Sequence, residues 1–569
     1  MTVKSPLSQY RLPHCNVWSG GVWGIALLVA LPLLAIASGV FIDQRAVWAH
    51  LAQTVLMTYI LNTLGLMLGV GIGVTVLGTA TAWIVTMCHF WGRRIFAWAL
   101  LLPLSAPAYI LAYTYTDFLE YFGPIQTGLR HLFGWTMPQD YWFPQVRSLP
   151  GAIVMLTLVL YPYVYLLARS AFISQSIVTL EASRSLGCNP WQSFRKVALP
   201  MARPAIVAGL SLALMETLND YGTVDYFAVP TFTTGIFRTW FGMGERIAAT
   251  QLAGLTLLFI LVLIGLERQS RRQQQYYQST NRSHATPRYS LNRLQSWIAF
   301  SICLLPILLG FFLPAGVLFS LVQAGSGEVP GREDVSDYGE RAVSSTSDSF
   351  LSIMNHSLIL ALITAAIAVL LSIILAYAIR LYPSKWNRCA LQISTAGYAI
   401  PGAVIAVGTL VPLGAFDNAV NAFMNRTFGI STGLLLSGTI AAVIFAYLVR
   451  FLAVSFGAVE SSLKTIKPNL DEVARSLGYG AGKTLQAVHL PLIKSGLLTS
   501  AILVFVDVMK ELPATLIIRP FNFDTLAVRV YNLASDERLA EAALPAFMIV
   551  MVGLIPVILL SLQIQKSES

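Results

Sequence analysis

Charged side chains are scarce in this sequence: Asp, Glu, Lys and Arg make up only 11% of its 569 residues, against about 25% in a soluble domain. That deficit excludes a water-soluble globule. Acidic residues are the scarcer sign, 27 against 37 Lys and Arg. The resulting net charge of +10 would suit a nucleic-acid binder if the basic residues shared one face; they follow the loops between apolar stretches instead. Cysteine is sparse as well. Cys15, Cys88, Cys188 and Cys389 lie on one side of those stretches or at helix ends near it, and Cys303 lies within one, so no disulfide framework is indicated. The seven histidines lack metal-ligand spacing, and His50, His131 and His356 read as loop or helix-end residues. A complete nucleotide-binding motif is also missing. Gly478-Tyr-Gly-Ala-Gly482-Lys483-Thr484 resembles a phosphate loop but has three residues where four are needed, with no strand before it.

What is abundant is apolar sequence, 56% of the chain. A helix rises about 1.5 Å per residue, so about twenty apolar residues cross a hydrocarbon core of about 30 Å. Such stretches run from Val22 to Phe41, Thr54 to Met87, Ile95 to Thr116, Leu149 to Ala171, Pro204 to Asn219 and Ile247 to Leu266. A second set follows at Trp297 to Leu321, Phe350 to Ile379, Ala390 to Gly414, Gly433 to Leu452, Ser495 to Met509 and Leu544 to Leu562. The second member of each set exceeds what a span needs, so it tilts or runs past the membrane surface. Helices are the expected form, because a backbone in lipid must satisfy its own hydrogen bonds. The first stretch has no convincing small-residue cleavage site and reads as a retained helix.

Orientation follows from charge. The segment Glu267 to Gln295 carries Arg268, Arg271, Arg272, Arg282, Arg288 and Arg293, whereas Glu328 to Asp348 is acidic. The positive-inside rule therefore places the former, and both termini, in the cytoplasm.

The chain repeats itself. Glu181-Ala-Ser-Arg-Ser-Leu-Gly187, ending at Leu199-Pro200, is matched at one constant offset by Glu472-Val-Ala-Arg-Ser-Leu-Gly478, ending at Leu490-Pro491. Each copy lies between the fourth and fifth spans of its set. The expected fold is thus an all-α membrane protein of about 12 transmembrane helices, in two parallel six-helix repeats. Residues 1–266 form the first half, 267–295 a basic cytoplasmic linker rich in Gln, Arg and Ser, and 296–569 the second half. Parallel repeats of this kind place a pathway at their interface.

Within each cytoplasmic loop the residues spell helix, turn, helix. Gly187 suits the left-handed end of a helix, Asn189 a cap and Pro190 the next first turn. Phe194 and Val197 share a face, as do Leu485 and Val488 in the second copy. The pattern of Glu, small residues, Gly and a late Leu-Pro resembles the signature loop of membrane subunits in binding-protein-dependent ABC importers. The resemblance implies a coupling helix that docks on a separate ATPase subunit, through Glu181, Gly187, Phe194 and Pro200 in one loop and Glu472, Gly478, Leu485 and Pro491 in the other. It also implies two ATPase subunits, an extracytoplasmic substrate-binding protein and a bacterial inner-membrane location. No catalytic residue or cofactor is expected in this chain, since ATP would be used by the partners.

Ionisable groups inside apolar spans mark polar pathways. Glu216 and Asp220 in the fifth span fall, at the same offset, on Asp507 and Glu511, each pair spaced i, i+4 on one helix face. These four carboxylates, with the neighbouring Tyr221, either guide a hard cation or cap helix ends. Other tyrosines, among them Tyr109, Tyr113, Tyr121 and Tyr226, suit an interfacial belt. The segments Pro107 to Tyr113, Met215 to Phe227 and Lys510 to Pro520 are similar to those of the iron(III) branch of the importer family. Fused permeases for thiamine or phosphonate share the plan, and an ion-coupled secondary transporter is the alternative of another class, although it needs no duplicated docking loop.

Overall fold

In the computed structural model the described residues are 17–174, 183, 185, 187, 189–272, 289–325, 336–467 and 469–568. Among them ten helices are long and apolar enough to cross a membrane singly, and two bent pairs raise the number to 12. The first half contributes Val17–Gly39, Leu56–Met87, a pair bent by 88° at residues 106–107, Leu149–Ile173, Trp191–Asn219 and Arg246–Gly265. The second contributes Arg293–Gln323, Phe350–Leu381, Gly402–Phe428, Ile440–Lys464, a pair bent by 78° and Leu539–Leu559.

The boundaries moved where a local signal overrides hydropathy. Pro401 holds extended backbone (φ −55°, ψ 141°) and starts the helix at Gly402, so the expected span from Ala390 divides into a short helix Lys385–Ser394 and a later, longer one. A proline donates no N–H and pushes the residue before it out of helix. The next span begins at Ile440, where the Thr439 hydroxyl accepts from Ala441 N, rather than at Gly433. Of the linker, Arg246–Arg272 continues as helix and residues 289–290 pair as a short parallel strand with residues 88–89. Residues 273–288 lie outside the described part, as do Glu181, Cys188 and residues 326–335 of the acidic loop.

Each half packs its second, fourth and fifth spans together. The first spans cross over. Val17–Gly39 packs on Gly402–Phe428 and Lys385–Ser394 of the second half, with Asn387 Nδ2 donating to Ser19 Oγ at 3.2 Å and the rings of Trp18 and Tyr377 5.1 Å apart. Reciprocally, Arg293–Gln323 packs on the bent third span of the first half, where Tyr115 donates to the Leu309 carbonyl at 2.6 Å. One continuous buried core therefore spans both halves.

Candidate functional site

The two fifth spans end alike. Helix stops at Asn219 and at Lys510, and Asp220 (φ −64°, ψ 127°) and Glu511 (φ −70°, ψ 124°) are extended before the short helices Gly222–Tyr226 and Pro513–Ile518. Asp220 Oδ1 accepts from Thr223 N at 3.0 Å and Val224 N at 3.2 Å, and Oδ2 accepts from the Thr223 hydroxyl at 2.9 Å. Glu511 Oε1 accepts from Ala514 N at 3.2 Å and Oε2 from the Thr515 hydroxyl at 3.3 Å. Both carboxylates thus satisfy the free N–H groups that begin a helix. Glu216 and Asp507, one turn earlier, cap nothing, and all four carboxylates line a cavity of about 160 Å³ between the halves. In both copies the later member of the i, i+4 pair also caps the following short helix.

Two cations answer these carboxylates. Arg450 comes from the fourth span of the second half with its side chain only 6% exposed. Its Nη1 donates to Asn219 Oδ1 at 2.7 Å and to Glu511 Oε1 at 3.0 Å, and Nη2 lies 3.7 Å from Glu216 Oε2. Gly402 N donates to the same Asn219 oxygen at 2.7 Å. This approach needs glycine, because a Cβ at 402 would come within 2.6 Å of Arg450 Nη1 and would also collide with Glu511. Lys510 Nζ donates to the Leu104 carbonyl at 3.0 Å. Both fifth spans therefore reach across to the third span of the opposite half. Among the described residues Asp507 accepts no hydrogen bond, and no three His, Cys, Asp or Glu side chains converge to hold a metal.

Tyr221 also lines the cavity. Its hydroxyl shares a 3.1 Å hydrogen bond with that of Tyr531, which donates to Asp225 Oδ2 at 2.7 Å. Sequence reasoning missed Arg450, Asn219, Tyr163 and Tyr398, all of which line the cavity. Arg450 had a signal, being an ionisable residue within an apolar stretch. The repeat did not flag it, because its counterpart at the constant offset is Val159.

The cytoplasmic loops are built on two left-handed glycines, Gly187 (φ 81°) and Gly478 (φ 78°). In the first loop Asn189 Oδ1 accepts from Gln192 N at 2.8 Å and Gln192 Oε1 accepts from Asn189 N at 3.1 Å, a reciprocal cap. Each loop then passes through a π-helical turn, Phe194–Ala198 or Leu485–His489, immediately before its Leu-Pro pair. The ring of Pro200 or Pro491 offers no N–H and crowds the carbonyl four residues back, and the wider turn relieves both. Phe194 is half-buried, with ring centroids 4.8 Å from Trp83 and 5.4 Å from Trp191, and Leu485 is buried. The outward apolar groups are Trp191 (65% exposed), Val473 and Leu477 (68% exposed). Glu472, Gly187, Gly478, Pro200 and Pro491 are exposed. The second loop is also pinned to its own half: Arg380 Nη2 lies 2.7 Å from Asp471 Oδ2, and Tyr377 donates to the Ala481 carbonyl at 2.7 Å.

Comparison with known proteins matches residues 74–268 and 368–567 to one family, described as binding-protein-dependent transport system inner membrane component. One copy falls in each half. The chain is 26% identical to the Fe(3+)-transport system permease protein FbpB 2 of Haemophilus influenzae, covering 94% of this chain and 97% of the relative. It is 24% identical to the ferric transport system permease protein FbpB of Actinobacillus pleuropneumoniae, over 91% and 71%. A putative 2-aminoethylphosphonate transport system permease, PhnV of Salmonella typhimurium, is 27% identical over 44% of this chain and 88% of the relative.

Proposed function

This chain belongs to the binding-protein-dependent transport system inner membrane component family, and from that premise we propose that it is the permease of an ABC importer carrying iron(III) into the cytoplasm. It is a multi-pass inner-membrane transport subunit. In our reading both termini are cytoplasmic, two separate ATPase subunits dock at the loops containing Gly187 and Gly478, and an extracytoplasmic binding protein delivers the cargo. Alternating access then moves cargo past the interface between the halves.

The observation that carries the cargo class is the pair Glu216 and Asp507, equivalent residues from the two halves, lining one interface cavity. Carboxylate and phenol oxygens suit a hard cation. An anionic phosphonate would call for free basic groups, yet Arg450 bridges Asn219 and Glu511 while Lys510 is held by the Leu104 carbonyl. The ferric relatives, matched over 94% and 91% of this chain, support iron over phosphonate, whose relative matches 44% of it.

The test is uptake of radioactive iron(III) by a deletion strain complemented with the wild-type chain or with Glu216→Gln plus Asp507→Asn. We expect the double variant to insert normally and retain its ATPase partner while losing about tenfold or more of uptake, in line with the loss of charge stabilisation for an ion in a low-dielectric site. Unchanged uptake would remove these residues from the pathway. Iron uptake that does not depend on the chain at all would refute the cargo.

A further inference from the structure

Glu216, Asp507 and Glu511 line one cavity at the half-half interface, and an isolated carboxylate there is costly. The structure answers that cost from within. Arg450 projects from the fourth span of the second half, bridges Asn219 and Glu511, and comes within 3.7 Å of Glu216 on the opposite half. Its engagement is incomplete. The buried Nε finds no acceptor among the described residues, and the contact to Glu216 is longer than a hydrogen bond. Tyr109, 5% exposed and lining the same cavity, has a hydroxyl without a partner. Polar capacity is thus left over around the carboxylates.

We infer that Arg450 is a tethered counter-cation, holding the place that a hard cation takes at Glu216 and Asp507, and that cargo enters by displacing the guanidinium from Glu216. The asymmetry supports this. The first-half counterpart of Arg450 is Val159, so only the second half supplies a guanidinium at this position, and its swing away from Glu216 leaves that carboxylate open to a cation. Glu511 and Asn219 retain the guanidinium as it leaves Glu216, since both bonds, at 3.0 and 2.7 Å, are shorter than the Glu216 contact. Weakly charged ions would fail to compete, and a multivalent ion preferring oxygen ligands would succeed. Arg450 is therefore a specificity-determining residue of the pathway. The inference rests on the cation-import reading above, but its test does not use transport.

Purified full-length chain is titrated with Tb³⁺, whose luminescence is sensitised by the cavity tyrosines Tyr163 and Tyr398. Arg450→Gln should bind Tb³⁺ about tenfold or more tightly than the wild type, because the competing charge is gone. Glu216→Gln added to Arg450→Gln should abolish the gain. Arg450→Lys, whose ammonium reaches one carboxylate and not a bridge, should give a smaller gain of about threefold, and it serves if Arg450→Gln does not purify as a folded species. Equal affinity in the wild type and whichever variant folds, or a gain that survives Glu216→Gln, would overturn the inference. A chain that imports no iron but shows this Tb³⁺ pattern would refute the cargo and leave the counter-cation standing.

Discussion

Asp220 and Glu511 occupy equivalent positions and cap equivalent helices, yet they are not equally replaceable. Asp220 meets only N–H and hydroxyl donors, so Asp220→Ala removes a cap worth about 1 kcal/mol. Glu511 also neutralises Arg450. Glu511→Ala leaves a buried guanidinium short of its main partner, a loss of about 3–5 kcal/mol. Thermal unfolding of the purified chain should therefore show a drop several times larger for Glu511→Ala than for Asp220→Ala, and equal drops would mean that Arg450 finds another carboxylate without strain. The i, i+4 pairing was legible in the sequence because helix geometry alone sets it. That the later member also caps a short helix was not, because that depends on where the fifth span ends and how the chain turns after it.

At the scale of the element, the twin loops show what a duplicated motif encodes. The late Leu-Pro appears in structure as a π turn in both copies, and the glycine as a left-handed helix end. A proline at Gly187 or Gly478 cannot reach a φ near +80°. Gly187→Pro combined with Gly478→Pro should accordingly leave the chain in the membrane but lose the ATPase subunits on affinity purification, and undiminished recovery would count against docking at these loops. The inward turn of Phe194 and Leu485 was hidden from the sequence. Amphipathic spacing identifies an apolar face without saying whether it packs against the same chain or a partner. Here the contact to Trp83 assigns Phe194 to anchoring the short loop helix on the second span, and the exposed Trp191 and Leu477 become the outward apolar surface.

At the scale of the whole molecule, the crossed first spans make each half depend on the other. Val17–Gly39 packs on the second half and Arg293–Gln323 on the first, so neither half presents a closed surface by itself. A chain split within residues 273–288 and co-expressed as two pieces should assemble and co-purify, whereas either piece expressed alone should accumulate at several-fold lower abundance; a half that is stable and monodisperse alone would contradict the crossover. The sequence by itself determined the helical class, the two sets of six spans and the offset that relates them, since lipid obliges every span to be an apolar helix and so writes each one into local hydropathy. Only the tertiary structure decided the crossover, the joining of Arg450 to Asn219, Glu216 and Glu511, and the facing of Glu216 and Asp507 across one cavity. Those depend on contacts between residues far apart in the chain, to which no local period or spacing responds.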